Sequence, residues 1–165
     1  MPSKKPIKPG PGQESVWDYP RPPALEPVPE TITVVFNGQQ VARTTRAFRV
    51  LETSHPPVYY LPPEDILPGA LAPRTGSSFC EWKGKARYFD LVVDGKISPS
   101  AAWAYDKPTA RFANIAGYVA FYPSKIGAGY VNEERARAQA GDFYGGWITD
   151  KIVGPFKGEP GTWGW

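Results

Sequence analysis

Between residues 32 and 123, apolar and polar residues fall in short alternating runs broken by turn residues, which is the pattern of half-buried strands. The clearest case is TITVVF, then Asn37-Gly38, then QQVARTT. Asn-Gly suits a type I′ turn, whose two central residues both need positive φ, so this segment predicts a β-hairpin. AFRVLET predicts a third strand and PPVYYLP a short fourth, while PPEDILPGALAP predicts a single helical turn. After a Gly/Ser turn, SFCEWKGKARYFDLVV predicts two strands bent at Gly84. A turn at Asp94-Gly95 leads into the strand AAWAYD, and ANIAGYVAFYP predicts a last long strand with Gly117 at a bulge. NEERARAQA holds helix formers with acids at its start, so a C-terminal helix capped by Gly141 is expected.

The ends read differently. Residues 1–14 carry spaced Pro, Gly and Lys with no apolar period, which predicts a flexible basic arm. Residues 15–165 are expected to form one β domain, with a family core at 32–123 and the helix and a wrapping tail at 124–165. The stretch VWDYPRPPALEPVPE, rich in proline, should lie extended across the body as a strap pinned by Trp17, Tyr19 and Leu25.

Composition sharpens the picture. Twenty prolines and 17 glycines would suit disorder, but 14% of the residues are aromatic, so the chain can bury a core. Proline interrupts nearly every window long enough for a helix, which excludes a helical bundle. The net charge of +3 is concentrated in the leader, and no basic stripe follows a strand face, so nucleic-acid binding is disfavoured. A single cysteine, Cys80, allows no intramolecular disulfide. With no apolar run long enough for a signal core or a membrane span, a cytoplasmic protein without membrane contact is expected. An oligomer is compatible with the sequence.

Four segments, PPVYYLPPED, CEWKGKARYFDLVVDG, AAWAYDKP and IAGYVAFY, resemble in order and spacing the family catalogued as domain of unknown function 427, also labelled nucleotidyltransferase. The WDYPRPP leader and FYGGW tail resemble a longer subgroup of it. The resemblance implies a mostly β fold: a small two-sheet, β-tent-like or split-barrel domain with one or two short helices. Zinc-bearing relatives of that architecture need about four Cys or His ligands. Cys80 and His55 cannot supply them, so neither a metal site nor a cofactor is expected.

The nucleotidyltransferase label finds little chemistry to support it. No phosphate-binding GxxxxGK[ST] loop is present, and Gly127-Ala128-Gly129 lacks a strand–turn–helix setting. Asp90 and Asp94, four apart in a strand, would sit roughly 13 Å from each other, too far to share a metal. Cys80 is expected to pack as a small apolar group rather than act as a nucleophile. His55, in the Ser54-His55-Pro56-Pro57 turn, is expected to face solvent.

The richest constellation is aromatic. Tyr60, Trp82, Tyr88, Trp103 and Tyr105 lie on strands that the hairpins bring together, and their polar tips need partners. With Arg87 they form the expected binding set, and Glu52 and Lys83 are the expected proton-transfer pair. The expectation is that two sheets splay to leave an aromatic-walled pocket for a small molecule. An acid/base enzyme of isomerase, cyclase or hydrolase type would use it. The alternatives are a non-catalytic ligand-binding module and a protein-interaction module, with nucleotidyl transfer last.

Overall fold

The computed structural model describes residues 5–80, 83–139 and 145–158. Its strands are β1 (Glu14–Ser15), β2 (Ala24–Val28), β3 (Ile32–Phe36), β4 (Gln39–Thr44), β5 (Ala47–Leu51), β6 (Val58–Tyr60), β7 (Leu71–Cys80) and β8 (Gly84–Val93). They continue as β9 (Lys96–Tyr105), β10 (Val119–Phe121), β11 (Ala128–Val131), β12 (Glu134–Arg135), β13 (Arg137–Ala138), β14 (Trp147–Ile148) and β15 (Ile152–Val153). Among the described residues the helical segments are short 3₁₀ turns, so the expected mostly β fold holds.

Three sheets carry the architecture, in the orders β12-β11-β3-β4, β10-β9-β8-β7 and β2-β5-β6, and none closes into a barrel. The last two are stitched by a bridge in which Leu61 and Val119 exchange backbone hydrogen bonds of 2.8 Å. Asn37-Gly38 and Asp94-Gly95 make the predicted hairpin turns, with φ of 52° and 74°, and 49° and 80°.

Strand alternation sorts the side chains of the stitched sheet onto two faces. Tyr59, Leu61, Phe89, Leu91, Ala102, Ala104, Val119 and Phe121 point inward and pack with Ile32, Val34 and Phe36 of β3 in the main core. Tyr60, Ala86, Trp103, Tyr105 and Ala120 point to the opposite face, into a second apolar cluster.

Several elements differ from the sequence reading. NEERARAQA forms β12 and β13 in place of a helix. A helix there would present only alanines to the core, whereas as strands it pairs with Tyr130, Val131, Trp147 and Ile148 and buries Ala136. The cap assigned to Gly141 lies outside the described residues. ANIAGYVAFYP is strand only at Val119–Phe121; Ala110–Ile115 is 3₁₀. Phe112, at a kink in that segment, and Ile115 are both fully buried. The Gly/Ser turn near Gly76 is a register shift inside β7, between Pro73 and Ser77. The helical turn is confined to Pro63–Asp65.

The leader and tail are tied to each other. Ile7 N–H donates to Gly154, and β1 pairs in parallel with β15. Arg49 of β5 donates through Nη1 to Glu14 and through Nε to Glu26, both at 2.6 Å, clamping the strap onto the sheet. Trp17 Nε1 donates to Pro155 O at 2.9 Å. The tail also enters the main core. Trp147, 1% exposed, donates from Nε1 to Phe121 O at 3.1 Å and meets Tyr59 edge-on.

Candidate functional site

A cavity of about 260 Å³ opens on the face of the stitched sheet turned away from the main core. At ~30 Å³ per water it holds the equivalent of eight or nine waters. Its apolar floor is Val50 and Val58 from β5 and β6 with Tyr60, Trp103 and Tyr105. Its polar margin is Glu52, His55, Cys80, Lys83, Tyr88, Tyr122 and Gln139.

Alternation and register place the floor. Tyr88 is paired directly with Trp103 across β8 and β9, and Ala86 with Tyr105, so these side chains share one face. Trp103 is boxed in: Tyr122 lies 4.4 Å away between ring centroids, Tyr60 stands edge-on at 6.3 Å, and the backbone of Gly145 covers its six-membered ring. A Cβ on Gly145 would lie 2.1 Å from Cη2 of that indole, so this tail glycine is a wall of the cavity that only glycine fits.

Of the residues singled out in the sequence, Glu52, Tyr60, Lys83, Tyr88, Trp103 and Tyr105 border this cavity. Trp82 lies outside the described residues. Arg87 does not belong to the set, because its position on β8, one residue before Tyr88, turns it to the other face. There Nε donates to Asp106 at 2.5 Å and the guanidinium stacks 4.6 Å from the Phe89 ring. Glu52 and Lys83 come from opposite walls, the β5–β6 loop and the β7–β8 turn, and both are half-buried.

His55 departs from expectation. Its side chain is only 15% exposed and borders the cavity. Nδ1 lies 2.8 Å from Thr53 O, an atom that can only accept, so Nδ1 carries the proton and Nε2 is the basic nitrogen of the neutral ring. Burial pushes the His55 pKa down, against the pull of the Glu52 carboxylate 3.8 Å away and of the Thr53 carbonyl. Cys80 packs against the aromatic cluster, as expected. His55, Tyr122, Gln139 and Gly145 were not foreseen as site residues. Their segments are a turn, a strand end and the tail, where no local period tells which way a side chain points.

Burial holds the phenols protonated. It raises Tyr60 and Tyr105 well above the ordinary tyrosine range and pushes Tyr122 up to about 12.

Residues 24–132, about two-thirds of the chain, match the model of the family described as domain of unknown function (DUF427). The protein belongs to the DUF427 family. A second label of that family abbreviates nucleotidyltransferase, and no curated protein matches the chain. In this DUF427 protein the acids most suggestive of metal chemistry have structural partners. Asp90 accepts from Arg74 at 2.8 Å and from the Ser100 amide at 2.9 Å, while Asp94 accepts from Gln39. Among the described residues no cluster of three His, Cys, Asp or Glu could hold a metal ion. Among the described residues no helix is long and apolar enough to cross a membrane.

Proposed function

We propose that the cavity beside Trp103 binds a small, flat, ring-bearing molecule. The observation that carries this reading is the convergence of aromatic side chains from β6, β8 and β9, with their polar tips, on a space the protein itself leaves unfilled. Side chains that could seal the hollow instead line it, which is the usual arrangement of a small-molecule site. The exposed apolar residues give less support to a protein-interaction module. Phe79 and Ile97 pair with Lys85 and Val92, roughly 23 Å apart along β8, and form no patch.

His55 is the single histidine of the sequence, so its ring proton resonance reports on the site without assignment. A library of one- and two-ring compounds is expected to contain members that shift this resonance saturably. Trp103→Ala is expected to weaken them at least tenfold. A library that leaves the His55 signal unmoved at millimolar concentration would overturn the proposal.

A second reading, acid/base catalysis, is favoured by one specific arrangement. A carboxylate–imidazole pair, Glu52 and His55, faces across the cavity from the Lys83 ammonium, which lies 5.9 Å from the Tyr105 ring centroid. A neutral imidazole backed by a carboxylate accepts a proton, and an ammonium stabilises the anion left behind.

A further inference from the structure

The polar groups of the cavity are not mixed evenly. On the wall built by β7, β8, β9 and the end of β10 stand three phenols and a thiol, Tyr88, Tyr105, Tyr122 and Cys80, and Tyr60 of β6 lies beside them with its ring 6.3 Å from that of Tyr105. Each phenol is a donor as well as an acceptor, and the geometry decides which role is open. Tyr60 Oη accepts from Trp103 Nε1 at 3.4 Å, a bond that does not use its own proton. Tyr88 Oη is 2.5 Å from Ser78 Oγ, and Tyr105 packs in the same apolar cluster as Cys80 and Tyr88. Lys83, in the turn that joins β7 to β8, brings a positive charge to the same wall. The acceptors Glu52 and His55 belong to the opposite β5–β6 loop.

From this asymmetry, and resting on the small-molecule reading above, we infer that the Tyr105–Lys83 wall, with Tyr60 beside it, is an oxyanion site. Its ligand is a flat ring bearing a conjugated anionic oxygen: a phenolate, an enolate or a ring carboxylate. Preorganised O–H donors and an ammonium against an aromatic surround stabilise such an oxygen more than freely solvated groups do, because they need less reorganisation. Burial pushes the Tyr60, Tyr105 and Tyr122 phenols further above their ordinary range, so they remain donors when the anion arrives. Glu52 repels the anion from the far wall and so fixes the ligand's direction in the cavity.

The test uses a dye that reports its own charge. 4-Nitrophenol absorbs at different wavelengths as phenol and phenolate, and 4-nitroanisole is its methyl ether, of similar shape and unable to ionise. With wild-type protein in excess, the dye's pKa is expected to fall by at least about one unit, meaning at least tenfold tighter binding of phenolate than of phenol. Lys83→Met is expected to cancel most of that fall, and Tyr105→Phe part of it. If both compounds bind, by the His55 resonance, but the dye's pKa is unmoved or raised, the oxyanion inference is wrong and the pocket reading stands. If neither compound binds, both are wrong. The wild-type titration alone decides between these outcomes, whether or not either variant folds.

Discussion

At the scale of single residues, His55 ties stability to pH. The fold lowers its pKa from about 6.5, chiefly by burial, with Lys157 and Arg21 adding to the fall and Glu52 and the Thr53 carbonyl opposing it. Below pH ~6.5 the unfolded chain therefore binds a proton that the folded chain resists. Stability is full above that value, declines as pH falls through it, and levels off below the folded pKa. Asp65 and Asp90 act in a separate window. Their carboxyls are held down, Asp65 by its bonds to Thr44 and Arg46, Asp90 by the Ser100 amide and Arg74. Their contribution is present above pH ~4 and fades only in stronger acid. Urea unfolding of wild type and His55→Gln from pH 5 to 8 is expected to show a slope in the wild type that the variant lacks. Equal slopes would mean that the imidazole is as readily protonated folded as unfolded.

Among elements, the β7–β8 hairpin positions Lys83, and Gly84 is its pivot. Gly84 has φ of +102° and pairs with Cys80, and a Cβ there would lie 3.3 Å from Lys107 O. Strain and crowding act together, so Gly84→Ala is expected to cost about 1–3 kcal/mol. A falling urea midpoint at constant m would show it; an unchanged midpoint would mean that the turn adapts freely. Such turns also mark how far the sequence could be read. Asn37-Gly38 and Asp94-Gly95 were legible because their chemistry is local. Residues 133–138 were not, because their helix propensity is worth a few tenths of a kcal/mol per residue. That preference yields to pairing with Trp147 and Ile148, which the sequence places far downstream. The site followed the same rule. Tyr60, Tyr88, Trp103 and Tyr105 could be grouped by period two, whereas Arg87 could be misplaced by a single residue, since one step along a strand reverses the face.

For the whole molecule, the question is where the cooperative unit ends. The family match covers residues 24–132, yet the main core is completed from outside it. Trp147 is fully enclosed there, and Gly129 makes room for it: a Cβ at that glycine would meet the indole at 2.8 Å. On the far side, Val16, Tyr19 and Ile152 pack with Leu51 in a cluster of their own. The wall of the cavity over Trp103 is Gly145. Removing a buried Trp side chain alone costs about 3–5 kcal/mol. The total stability of a domain is only about 5–15 kcal/mol. Cutting away Trp147 together with the Val16–Tyr19 cluster leaves the Phe121 carbonyl without its indole donor and Tyr59 and Leu51 open to water. A fragment of residues 24–132 is therefore expected to lack a cooperative thermal transition and near-ultraviolet circular dichroism, while the full chain shows both. A fragment that melts cooperatively would place the boundary of the folding unit at the family match and reduce the leader and tail to covers. The opposite result makes the strap, the tail and the floor of the cavity one structure, so that ligand bound beside Trp103 would raise the melting temperature of the entire chain.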